Sequence, residues 1–116
     1  MRDLLLQCSG LAAIAVALIH GVIGETRVFP RITIEPARLR SLIHLVWHAG
    51  TVAWIGGGVL LLAAPGMESE AARHWIVVTL ACVFAFAAFA NAWATRGRHF
   101  GWMALSAVVA MAVAGY

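Results

Sequence analysis

Four long apolar runs, separated by three polar interruptions, set the pattern of this chain. They cover residues 4–24, 39–64, 74–95 and 99–116. None shows the apolar/polar alternation of a half-buried strand; each is nearly continuous. A membrane-spanning helix needs about 20 apolar residues, because each residue rises about 1.5 Å and the hydrocarbon core is about 30 Å thick. The runs therefore predict four spans, the last only marginally long enough. In lipid, only helices and closed barrels satisfy their own backbone groups, and continuous runs select helices. The expectation is an all-α, up-down-up-down four-helix integral membrane bundle, with residues 1–116 forming one domain.

The interruptions are unequal. Residues 25–38 read ETRVFPRITIEPAR, with Val28, Phe29, Ile32 and Ile34 interspersed among charged or hydroxyl residues, and with Pro30 and Pro36 breaking any helix. This pattern predicts an irregular connector along the membrane surface, its apolar residues dipping inward and its arginines meeting lipid phosphates. Pro65 and Gly66 close the second run, and Arg96-Gly97-Arg98 forms a tight turn before the fourth. Small residues mark how the helices meet. Ser9, Ala13, Ala17 and Gly21 recur every four residues, and Ser106, Ala110 and Ala114 repeat the device in the fourth run. Such stripes let backbones approach, either within the bundle or between copies.

Composition sharpens the class. The chain is 63% hydrophobic and 11% charged, against about 45–50% and about 25% in soluble domains. A chain of this size cannot hide so much apolar surface from water. Disorder, collagen, a disulfide scaffold and a free nucleic-acid-binding module are excluded with it, so no nucleic-acid partner is expected. All eight basic residues are arginine, which rules out chemistry that needs a Schiff-base lysine. Cys8 and Cys82 stand alone in separate runs, as small apolar side chains. Residues 4–24 exceed the about 7–15 apolar residues of a signal peptide and are read as a retained span.

The charges are polarised. Arg27, Arg31, Arg38, Arg40, Arg96 and Arg98 fall on one side of a four-span chain, and Arg2 and Arg73 on the other. The positive-inside rule then puts both termini on the non-cytoplasmic side of a membrane. The expected location is a bacterial inner membrane.

The histidines gather on the same side as the arginines. His20 lies near the end of the first run with Glu25 at its boundary; His44 and His48 open the second; Asn91 is near the end of the third and His99 starts the fourth. Only His74 falls opposite. His44 and His48 are four apart, so they share one helix face with side chains about 5–6 Å apart, a spacing that suits a metal ion. The expected further metal ligands are His20 and Glu25, with His99 as the alternative. The motif reads HLVWH and lacks the carboxylate of a zinc-protease helix. Alternatively, His20 with His44 or His48 would ligate a haem b lined by Trp47 and Trp54. A hydrolytic triad is not assembled, since only Ser41 among Ser41, Ser69 and Ser106 lies near the histidines.

Intramembrane ionisable groups are functional-site candidates by default, so a membrane protein with a cytoplasmic-leaflet His/Glu site for a metal or haem is the leading expectation. Two alternatives stay open. One is an accessory subunit that packs against a larger membrane complex. The other is an oligomeric small-molecule transporter. In length and span count the chain resembles the small multidrug-resistance transporters, but those carry a carboxylate inside their first helix and residues 4–24 hold none.

Overall fold

The apolar runs fold as four α-helices, and there is no strand. In a computed structural model, which describes all 116 residues, α1 is Arg2–Ile23, α2 is Ala37–Ala63, α3 is Glu70–Thr95 and α4 is Gly101–Ala114. Three of them are long and apolar enough to cross a membrane. At 14 residues, α4 spans only about 21 Å, so the fourth run is shorter as a helix than as an apolar stretch.

Local chemistry sets the helix ends. Ser69 caps α3, its Oγ accepting from the Ala72 N–H at 3.2 Å, which satisfies one of the orphan donors of the first turn. At the other end Arg96 and Gly97 both take positive φ, 52° and 72°. That left-handed pair lets the Gly97 N–H donate back to the Ala92 carbonyl at 2.8 Å and reverses the chain into α4.

The connector 25–38 differs from the irregular segment expected of it. The helix continues past α1 as a π turn, Gly24–Val28, and a 3-10 turn, Phe29–Arg31. Pro30 has no N–H and cannot extend an α-helical ladder. The preceding turn widens instead, with the Phe29 N–H donating to the Gly24 carbonyl five residues back. Of the four apolar residues expected to dip inward, Phe29 is buried, Val28 and Ile34 are half-buried, and Ile32 stays exposed.

Inside the bundle α1 packs along α2 and also against α4, while α3 packs along α4; α2 and α3 touch only slightly. The α1 stripe faces inward. Ser9, Ala13 and Ala17 are fully buried, and the Ser9 hydroxyl donates to the Val108 carbonyl of α4 at 2.8 Å. Gly10 and Gly58 bring α1 and α2 into backbone contact, for a Cβ on Gly10 would stand 2.5 Å from the Gly58 oxygen. The α4 stripe does the opposite. Ser106, Ala110 and Ala114 are exposed, and the interior is taken by Leu105, Val108 and Ala112, whose spacing places a bulkier edge against Leu6, Leu61 and Phe84. Elsewhere the apolar surface points outward: Leu45 is 68% exposed, Phe86 73% and Trp93 77%.

The bundle measures 49 × 27 × 19 Å. One end holds both termini and the start of α3: Arg73 donates to Asp3 at 2.9 Å, Arg2 to the Tyr116 carbonyl, and His74 pairs with the Tyr116 hydroxyl. α1 and α3 start there and α2 and α4 finish there, so the helices run up-down-up-down. The opposite end carries Glu25, His44 and His48.

Candidate metal centre

The π turn decides where Glu25 goes. Widening the last turn of the first helix aims its carboxylate at α2, one turn beyond the level of His20. There a single oxygen, Oε1, stands 2.5 Å from His44 Nε2 and 2.5 Å from His48 Nε2. The two rings, one helical turn apart, lie with centroids 5.0 Å apart and planes at 77°, so both ε nitrogens converge on one point. Each Nε2–H donates to the same acceptor.

One ligand atom from each of the three residues lies within 4.8 Å of the other two. A tetrahedral zinc ion sits about 2.0–2.2 Å from its donors, which requires those donors to stand roughly 3.3–3.5 Å apart. The carboxylate must therefore withdraw from each imidazole by roughly 1 Å to admit an ion, a change within the reach of a glutamate side chain. Exposures of 40%, 35% and 51% for the His44, His48 and Glu25 side chains leave the cluster open to solvent on one side. Phe29 braces it from within the bundle, its ring edge-on to His44 at 4.6 Å.

The remaining candidates form a second, drier group. The His20 ring stacks on Trp47 with centroids 4.1 Å apart and planes 7° from parallel, and the Trp54 ring lies 4.8 Å from it at a tilt of 44°. The Trp47 N–H donates to the His20 carbonyl at 3.1 Å. Gly24 makes this possible, because a Cβ there would collide with the indole. His20 is thus held by aromatic faces and does not join the Glu25–His44–His48 cluster. With Asn91 and His99, these residues line a cavity of about 70 Å³. That is far below the about 300–1,000 Å³ that sites for drug-sized ligands enclose, and a tetrapyrrole is larger still. The Asn91 Oδ1 is buried without a hydrogen-bond partner, and His99 Nδ1 accepts from the Gly101 N–H at 3.1 Å. His74 stands at the far end, against Tyr116.

Sequence reasoning missed two features. The bracing role of Phe29 had a signal, a large apolar residue next to Pro30. The widened turn had none beyond Pro30 itself, because a π turn has no residue pattern of its own. Arg40 and Ser41, one turn before His44, also face this cluster across a shared cleft.

No protein-family model, no curated protein and no solved structure matches this chain.

Proposed function

We propose that this is an integral membrane protein that holds one divalent transition-metal ion, of the zinc class, on Glu25, His44 and His48. The observation that carries this reading is the shared oxygen: two ε nitrogens and one carboxylate oxygen converge from two helices on a single point. Two imidazoles and a carboxylate leave the fourth position of a tetrahedral ion open, the arrangement of zinc sites that bind water or substrate. Imidazole suits zinc, copper, iron and nickel, and one hard oxygen does not shift that preference. The half-exposed rim gives an ion a route in from water.

The polarity of the chain supports the placement. Arg27, Arg31, Arg38 and Arg40 lie around the site end of α1 and α2, with Arg96 and Arg98 in the α3–α4 turn. By the positive-inside rule that end faces the cytoplasm, and the termini face outward across a bacterial inner membrane. A second reading, docking against a larger membrane complex or another copy, is favoured by the outward groove in which Ser106 and Ala110 of α4 meet Ala85, Ala88 and Ala92 of α3.

The test is stoichiometry. Protein purified in dodecyl maltoside, exposed to zinc and freed of excess is expected to carry one zinc per chain. Glu25→Gln and His48→Ala should weaken binding on the order of tenfold or more, as outer-shell changes alone can, while His20→Ala keeps full loading. Wild-type protein that retains no zinc, or loading of Glu25→Gln and His44→Ala that equals the wild type's, contradicts the reading.

A further inference from the structure

The metal cluster opens onto a cleft of about 300 Å³, lined by Glu25, Phe29, Pro30, Arg40, Ser41 and His44. Arg40, His44 and His48 are spaced i, i+4 and i+8 on α2, so they form one stripe with successive side chains about 5–6 Å apart. The guanidinium therefore stands one turn above the nearer imidazole, on the solvent side. It has no acidic partner: the three ion pairs of the protein are His44–Glu25, His48–Glu25 and Arg73–Asp3. The Ser41 hydroxyl beside it makes no hydrogen bond within the protein, as the side-chain bonds on this face are those of Glu25 with His44 and His48. The opposite wall is apolar, built from Phe29 and Pro30.

We propose that this cleft binds a phosphate group, one oxygen filling the open position of the metal and the others meeting Arg40 and Ser41. The inference rests on the metal reading given above and names the substrate class of that site. A divalent ion outweighs the Glu25 carboxylate, and Arg40 adds a further cation, so the assembled cleft is net positive and selects an anion. Guanidinium matches phosphate oxygens in a planar, bidentate fork that an ammonium cannot reproduce. The flanking Arg27, Arg31 and Arg38 raise the local potential further. Phe29 and Pro30 give an apolar wall for the organic part of a phosphate ester. The phosphate has two sources with this chemistry, a phospholipid headgroup or a free phosphate in the cytoplasm.

Zinc-loaded protein in dodecyl maltoside, with its zinc content measured first, is titrated calorimetrically with inorganic phosphate and, separately, with short-chain phosphatidic acid in the same micelles. Saturable binding is expected in the loaded wild type, at least tenfold weaker in Arg40→Gln and in zinc-free protein, with Arg40→Lys in between. The zinc content of Arg40→Gln should equal that of the wild type. Binding of inorganic phosphate assigns a free phosphate; binding of phosphatidic acid alone assigns a headgroup. Binding of neither to a protein carrying one zinc overturns the phosphate proposal and leaves the metal reading standing, as does equal affinity in Arg40→Gln. Absence of zinc from the loaded wild type overturns both.

Discussion

Glu25 is the residue on which two imidazoles from another helix converge, yet its contribution to stability is small. Solvent-exposed ion pairs contribute little to stability, so Glu25→Gln should shift the apparent melting temperature in detergent only slightly while weakening zinc binding sharply. A large drop in melting temperature would mean the cluster holds the fold together instead. Buried polar groups behave differently. Ser9 donates to a carbonyl of α4 in a fully buried position, and interhelical hydrogen bonds of this kind contribute about 0.6 kcal/mol on average in membranes. Ser9→Ala should therefore destabilise modestly. Asn91 has a buried oxygen without a partner, and an unsatisfied buried group costs about 1–3 kcal/mol. Asn91→Leu, of the same branched shape but without polar atoms, is expected to leave thermal stability unchanged or raise it. A clear loss would show that Asn91 makes a bond to something other than the protein.

At the scale of helices, the crossing of α1 and α2 sets the geometry of the site, because Glu25 and the two histidines sit on different helices. The crossing depends on Gly10 and Gly58. A Cβ on Gly58 would come within 2.7 Å of the Gly10 oxygen, whereas one on Gly56 would meet nothing within 4 Å. Gly58→Ala should thus destabilise by about 1–3 kcal/mol, the usual cost of overpacking, and loosen zinc binding by spreading the helices. Gly56→Ala should lie within about 1 kcal/mol of the parent, on the stabilising side, from helix propensity. Equal effects from the two substitutions would contradict a close crossing at Gly58. The helices themselves were legible from the apolar runs, and the inward α1 stripe from its four-residue repeat. The α4 stripe pointed the other way because small residues show only that close approach is allowed; the bulkier Leu105 and Val108 claimed the interior. The pair His44 and His48 was legible from spacing alone. Its union with Glu25, and the exclusion of His20, were not, because both follow from a turn that widens before Pro30.

The whole molecule is polarised along its long axis. Arg2, Asp3, Arg73, His74 and Tyr116 tie the terminal end together, and the other end carries the Glu25–His44–His48 cluster within an arginine-rich rim. This gathering was visible in the sequence as soon as four runs were folded up and down, since the alternation of sides needs no tertiary detail. The proposed orientation gives a direct expectation for a chain otherwise free of cysteine, with Cys8 and Cys82 replaced by alanine. Ser69→Cys should react with a membrane-impermeant maleimide from the outside of intact cells, and Ser41→Cys only after the membrane is opened. The reverse pattern would put the site on the outer face. Whether Glu25, His44 and His48 hold one metal ion can be read from X-ray absorption at the zinc edge of the loaded protein. The expected spectrum shows a four-coordinate first shell of nitrogen and oxygen at about 2.0–2.2 Å, with the imidazole scattering pattern of two histidines, which falls to one in His48→Ala. A six-oxygen shell, or a spectrum unchanged by both His48→Ala and Glu25→Gln, would contradict it.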